Sequence, residues 1–402
     1  MDSITNNEKY RKFLPTKKDI FQKRVILRLD LNVPLYDAKI SDKYRILSAV
    51  KSIKFILGYR PQQIIILSHL GDPKGFDMNL SLKPVYKELS KILKKEIKKD
   101  IAFKNIEELE KKLSQKCNEK EFEIILLENT RFYEGETKND KHFSQRLLGL
   151  GNVFVNDGFG VMHRRHCSNY GIAEFMPSFI GPLCLDELEN LDFSKSKKPF
   201  LVLLGGKKLS TKIPVIKALL KKADSIFLGG AMVFTFYKAM GLEIGKSLYE
   251  KELINEAKYL LRNKNIILPK DILCSKSIEK PINTEIKNFN LLGIDDYGVD
   301  IGTKSITELK AIINISKTIF WNGPFGIFEI KDFSKSTKGL LGILKESKAK
   351  IIAGGGDSVM AINKFKATNC FDFISTGGGA SLEFIAKETL DYLELLKKKN
   401  KT

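Results

Sequence analysis

An α/β protein of two doubly wound parallel-sheet domains is what this sequence predicts, and three observations predict it. Short apolar runs recur along the chain and alternate with stretches of helical composition. Each run closes on polar or glycine residues, as parallel strands do when a site sits at their C-terminal ends. The closings also change character midway, from polar and cationic in the first half to glycine-rich in the second. At 402 residues there is room for two domains of ordinary size.

The first-half strands come in order. RVILRLDLN at 24–32 ends in Asp30 and Asn32 before Pro34, and IIILSH at 64–69 closes on Ser68, His69, Leu70 and Gly71. FEIILLENTRF at 122–132 ends in Glu128, Asn129 and Arg131, and VFVNDGFG at 153–160 runs into His163, Arg164, Arg165 and His166. Residues 43–57 and 82–92 read as helices between them. DELENLDFSKSKKP at 186–199 breaks the pattern with one amphipathic helical piece and a charged, breaker-ended segment. A linker helix and hinge are expected there, between a domain at 1–185 and another at 200–385.

Five strand endings of the second half are glycine-rich: FLVLLGG at 200–206, IFLGG at 226–230, IFWNGP at 319–324, IIAGGGD at 351–357 and FISTGGG at 373–379. IIAGGGDS at 351–358 is the most informative. A buried strand there opens into a bare-backbone turn and feeds a helix expected at 359–365. Free N–H groups and the positive helix end favour a phosphate, and Asp357 suits the Mg²⁺ that accompanies it. Cationic strand ends suit a small anionic substrate, and bare backbone suits a nucleotide. Two such half-sites facing each other across a hinge suggest a transferase that closes to exclude water.

The net charge of +20, from 68 Lys and Arg against 48 Asp and Glu, admits two readings. One is nucleic-acid binding through a basic patch. The other is a solvated, lysine-rich enzyme surface, and it is preferred. Clusters such as Lys94-Lys95, Lys111-Lys112, Lys221-Lys222 and Lys397 to Lys399 are dispersed and do not alternate with aromatics. No apolar run reaches membrane-span length, and the start MDSITNNEKYRK has no signal-peptide core, which points to the cytoplasm. Cys117, Cys167, Cys184, Cys274 and Cys370 form no C-x-x-C pair, as suits a reducing compartment. GLEIGKS at 241–247 is one residue short of a P-loop and follows no apolar strand. Arg164 and Arg165 between His163 and His166, with Cys167 beside them, argue against a zinc site.

Taken together, RLDLNVP, SHLG, LLENTRF, VNDGFG-x-x-HR, LGG-x-K-x-x-x-K, WNGPFGIFE, GGGDS and STGGGAS resemble the phosphoglycerate kinase family, in that family's order, from about residue 20 to about residue 385. The resemblance implies two Rossmann-like domains in a cytoplasmic monomer, with no specific nucleic-acid or membrane partner. It implies Mg²⁺-dependent phosphoryl transfer between 1,3-bisphosphoglycerate and ADP, giving 3-phosphoglycerate and ATP. The tail at 386–402 is expected to pack back on the first domain.

By motif, Asp30, Leu31 and Asn32 are similar to glycerate contacts, as are Leu70, Gly71 and Asp72. Arg45, His69, Arg131 and Arg164 are implied to hold the carboxylate and phosphate, for which the arginine fork is suited. Gly205, Lys208 and Lys212 are implied on the nucleotide side, with Gly230 in FLGGAM. Lys212, helped by Arg45, is the candidate for stabilising the phosphoryl group in flight. Asn322 and Glu329 resemble the phosphate and ribose contacts, and Leu248 and Val299 the walls of the base pocket. Gly355, Gly356, Asp357 and Ser358 match the loop that carries phosphates and Mg²⁺.

The chain departs from the family at Asp72, where an arginine is usual, and at Lys207, Ala231 and Phe325. Two other functions remain open on the residues alone. One is a different acyl-phosphate or nucleotide kinase on the same plan. The other is a member kept as a nucleic-acid- or surface-binding protein.

Overall fold

The structure, a computed structural model, describes residues 8–36, 39–115 and 122–400. Cys117 and the first seven residues of the N-terminal segment lie outside these; the other four cysteines are buried and free. The chain divides into two compact units, Met1–Glu189 with Thr389–Thr402, and Asn190–Glu388.

The first unit is built on six parallel strands in the spatial order Ala102–Lys104, Glu123–Leu127, Gln63–Leu67, Arg24–Leu29, Val153–Asp157 and Ser178–Ile180. Both faces are covered, so the strands are apolar throughout instead of alternating. Val25, Leu27 and Leu29 share one buried cluster with Ile46, Ile53 and Leu89. Ile26, Ile65, Ile125 and Phe154, which point the other way, are fully buried too. The helix Tyr44–Leu57 buries Ile46, Ala49, Val50, Ile53 and Ile56, spaced to give one apolar stripe. Lys83–Ile97 runs past the expected end at 92, because Val85, Leu89 and Leu93 keep one buried face until Lys98 turns left-handed. Asp391–Lys399 packs on this unit: the Tyr392 hydroxyl donates to the Phe179 carbonyl at 2.8 Å, and its ring meets Phe154 edge-on.

Strand order reverses beside Arg24–Leu29, which opens a crevice at the C-terminal ends where ligands bind in such sheets. The helix expected from 186 begins earlier, at Pro182, since proline is at home in a first helical turn.

The second unit has its own six parallel strands, ordered Ile266–Ile267, Ser225–Leu228, Phe200–Leu204, Thr318–Asn322, Lys350–Ala353 and Phe373–Ile374. Numbered along the chain this is 3-2-1-4-5-6, with the reversal between Phe200–Leu204 and Thr318–Asn322. The helix expected at 359–365 starts at Gly356, because Gly355 takes φ +95° and turns the chain directly into it. An antiparallel sheet that the sequence reading did not anticipate joins Glu285–Asn288, Asp271–Ser275 and Tyr297–Ile301. No helix of the described residues is long and apolar enough to cross a membrane.

Candidate active site

In the first unit, four residues that follow strand ends, Asp30, Asn32, His69 and Gly71, come together with Arg45 from a helix. Arg45, on the first turn of its helix, reaches Asp30 Oδ1 at 2.5 Å. The Asp30 carboxylate also accepts the N–H of Asn32 at 3.2 Å, and Asn32 Oδ1 accepts that of Gly71 at 3.0 Å. His69 is almost wholly buried. Burial first, then the charges of Arg28, Arg131, Arg45 and Arg164, hold its pKa well below the usual range. Arg45, Arg131 and Arg164 beside this buried imidazole make a site suited to an oxyanion, whereas the Arg28 guanidinium is buried and spends its donors inside the protein.

Arg131 is anchored from below. Asn129 accepts its N–H and donates to the carbonyls of Leu70 and Leu80, while Arg131 Nη1 donates to the Gly71 carbonyl at 2.5 Å. Asp72 lies on the same Nη1 at 3.1 Å. The exposed Arg164 is carried by a loop that Asn169 fixes, its Nδ2 donating to the carbonyls of Val161 and Arg164. Asn169 sits in a π-helical turn, Cys167–Gly171, of the kind often found beside functional sites. Leu31 and Leu70, expected as substrate contacts, have buried side chains, and their N–H groups donate to Ser68 and Asn129. Apolar side chains flanking a strand end belong in the core, so only the polar neighbours project.

In the second unit the glycine-rich strand ends close on one another. A Cβ on Gly205 would lie 2.1 Å from the Pro324 carbonyl oxygen, and one on Gly230 would lie 2.5 Å from the Gly206 nitrogen. Only bare backbone fits there. Lys212 Nζ donates to Asn322 Oδ1, and Asn322 Nδ2 donates to the Gly354 carbonyl at 2.6 Å. Ser358 ties the same turn down, donating to the Gly354 carbonyl and accepting from the Gly323 N–H, both at 2.7 Å. Burial lowers the Lys212 pKa to about 8 against the raising effect of Asp357. Asp357 stands exposed in the first turn of its helix, beside Gly355 and Gly356. Lys208 is exposed and forms no ion pair among the described residues.

Next to this cluster lies a cavity of about 380 Å³. Its apolar walls include Leu248, Val299, Tyr297 and Ile278, and its polar rim includes Lys207, Glu329 and Asp357. The antiparallel sheet supplies Val299 and Tyr297, so the unanticipated element builds one wall. Asp300 secures it, accepting from the N–H groups of Ile301 and Ser336 at 2.9 Å each. Gly230, Ala231 and Phe325 line it as well, and the Phe325 ring lies where a side chain on Gly229 would be. In GLEIGKS no helix begins at Ser247, whose hydroxyl accepts the Gly298 N–H at 2.9 Å, so this stretch is wall and not a P-loop.

Sequence reasoning did not single out Arg28, Glu136, Ser168, Asn129 or Asn169 as functional residues. An arginine inside the apolar run RVILRL was a signal for the first, and the polar strand ending LLENTRF for Asn129; Glu136, Ser168 and Asn169 carried none.

Arginines at the strand ends of one unit, and in the other a glycine-rich turn beside an apolar cavity, suit a phosphotransferase. The family described as "Phosphoglycerate kinase" matches residues 16–388. The chain belongs to the phosphoglycerate kinase family, whose phosphotransferases use a carboxyl group as acceptor. It is 42% identical over 392 residues to the phosphoglycerate kinase of Dictyoglomus turgidum, covering 95% of this chain and 97% of that one. With that of Borreliella afzelii it shares 38% over 386 residues, covering 94% and 96%. Among solved structures, the phosphoglycerate kinase of Coxiella burnetii superposes with a TM-score of 0.84 at 33% identity, covering 95% of this chain and 97% of that one. That of Pyrococcus horikoshii gives 0.76 at 25% identity, covering 95% and 98%.

Proposed function

We propose that this chain transfers a phosphoryl group reversibly between 1,3-bisphosphoglycerate and ADP, as a cytoplasmic monomer. One observation carries the reading: the buried His69, with Arg28 Nη2 2.9 Å from its Nδ1, lies within the fields of Arg45, Arg131 and Arg164, a setting that suits a small phosphorylated acid. In the reverse direction a carboxylate oxygen of 3-phosphoglycerate attacks the γ-phosphorus of ATP. The bond from phosphorus to the β-bridging oxygen breaks, and its electron pair stays on ADP. No proton moves, so no general base is needed, and positioning and charge do the work.

Arg45, Arg131 and Arg164 hold the acid's carboxylate and phosphate, with Asp30 and Asn32 orienting its polar groups. The Lys212 ammonium gives one of its three hydrogens to Asn322, leaving two for oxygens of the phosphoryl group in transfer. Gly205, Gly355 and Gly356 offer bare backbone to the phosphates, Lys208 and Ser358 flank them, and Glu329 meets the ribose. Leu248, Gly230 and Val299 enclose the base. Asp357, a carboxylate on the cavity rim, fits Mg²⁺, which takes one or two carboxylates together with substrate phosphates. Bound there, Mg²⁺ would neutralise phosphate charge.

A coupled spectrophotometric assay with ATP, Mg²⁺ and 3-phosphoglycerate tests the reading. Turnover is expected. No turnover with this acid, alongside turnover with another carboxylate or a nucleoside monophosphate, would replace it.

A further inference from the structure

His69 Nδ1 lies 2.9 Å from Arg28 Nη2. A guanidinium donates and never accepts, so Nδ1 must be the acceptor and the imidazole proton must sit on Nε2. A second proton on Nδ1 would face the Arg28 donor, which agrees with the depressed pKa of this ring. The tautomer therefore depends on where the Arg28 guanidinium points.

Arg28 is itself held inside the protein, only 2% exposed. Its Nη1 donates to the carbonyls of Leu29 and Leu67, and its Nε donates to Ser168 Oγ at 3.2 Å. Ser168 donates its own hydroxyl to Glu136 Oε1, and its N–H to Glu136 Oε2 at 3.0 Å. Glu136 is 1% exposed, Ser168 is fully buried, and Thr130 Oγ1 also donates to the carboxylate at 3.4 Å. A cation can only begin this chain and a carboxylate can only end it. The order Arg28 to Ser168 to Glu136 thus has one polarity. Burial raises the Glu136 pKa, and the Ser168 hydrogen bonds and Arg28 charge pull it back.

We propose that Glu136 is a positioning residue. Acting through Ser168, it locks Arg28 and thereby holds His69 in the Nε2–H tautomer, so that the ring offers the anionic substrate one fixed N–H donor. This rests on reading His69 as a substrate contact. Glu136 and Ser168 touch no ligand in this scheme; they act at two and one removes from Arg28's partner. Buried networks of this kind orient a site only while every member is satisfied.

The test is nitrogen-15 NMR of the imidazoles in the full-length chain, feasible because it has only four histidines. His69, assigned by loss of its signals in His69→Asn, is expected to show a protonated Nε2, an unprotonated Nδ1 and no titration between pH 5.5 and 8. In Glu136→Gln and in Ser168→Ala the ring is expected to populate both tautomers. The KM for 3-phosphoglycerate should rise about 2- to 10-fold, as for one weakened hydrogen bond, with the ATP KM unchanged. Should Glu136→Gln not fold, Ser168→Ala, which removes a single oxygen, carries the measurement. A protonated Nδ1 in the parent, or an unaltered Nε2–H ring in both variants, overturns the positioning role. The substrate reading fails separately, if 3-phosphoglycerate leaves the parent's His69 signals unmoved. In that case the relay loses its function whatever its tautomer.

Discussion

Asp72 Oδ1 rests 3.1 Å from Nη1 of Arg131, and the two sides of this pair differ sharply in setting. The Arg131 side chain is 5% exposed and that of Asp72 86%. The carboxylate thus lies on the open side of a guanidinium whose Nη1 also donates to the Gly71 carbonyl. An incoming anion has to displace it.

Asp72→Ala is therefore expected to lower the KM for 3-phosphoglycerate. Pairs with one exposed member contribute about 0.2–1 kcal/mol, which corresponds to a change of about 1.4- to 5-fold. Asp72→Arg should lower it further, and Lys74→Ala, which removes an exposed cation two residues away, should raise it. The nucleotide KM should stay put in all three. Steady-state kinetics with each substrate varied decides this, and an unmoved 3-phosphoglycerate KM in Asp72→Arg would count against it.

Lys212→Ala should reduce kcat by about 10²–10³, the usual loss for a donor aimed at transition-state charge, with little change in nucleotide KM. Burial has brought the Lys212 pKa down to about 8, so the free enzyme loses this cation as pH rises through that value. The profile of kcat/KM for ATP should fall on the alkaline side near pH 8. In Lys212→Arg that limb should vanish, because a guanidinium stays charged. A limb that persists in Lys212→Arg belongs to another group.

Burial raises the Asp157 pKa from 3.8 to about 6. The folded state then holds this proton more tightly than the unfolded chain, so its contribution is whole below about pH 4 and is lost as pH climbs through about 6. Two pH units correspond to about 3 kcal/mol. Asp157→Asn keeps an oxygen for the Cys184 N–H, which Asp157 Oδ1 accepts at 2.8 Å, and removes the charge. The variant should gain on the parent in Tm between pH 4 and 7. Melting curves that track each other across that range would show Asp157 ionised at no cost.

Gly205→Ala should destabilise by about 1–3 kcal/mol, the usual cost of overpacking. The added methyl meets the Pro324 and Gly323 carbonyl oxygens at 2.1 and 2.5 Å. Trp321, the only tryptophan, donates from Nε1 to the same Gly323 carbonyl at 2.8 Å, so its emission should change too. Urea unfolding followed by tryptophan fluorescence measures both. Parent-like stability and emission would mean that the strand ends can part without penalty.

Much of this was determined by the sequence alone. An apolar run covered on both faces must stop where polar residues begin, so Asp30, His69 and Arg131 could be placed at strand ends before any coordinates. Gly205, Gly230 and Gly355 were legible as bare backbone at strand ends, read there as suited to a nucleotide; that Gly205 and Gly230 also close on neighbouring backbone emerged only from the fold. The antiparallel sheet was not legible: Asp271–Ser275 is buried at every position and Glu285–Asn288 is exposed at almost every one, so neither alternates. Its strands exist because they pair, and pairing is not a local property. The same holds for the side chains around the oxyanion site. Glu136 reads as one more surface acid until folding brings it to Ser168, 32 positions on, and Ser168 to Arg28, 140 positions away. Asp72 meets Arg131 across 59 positions. Composition and periodicity report how each segment meets water, whereas a hydrogen-bond partner distant in the chain is chosen only when the tertiary structure closes around it.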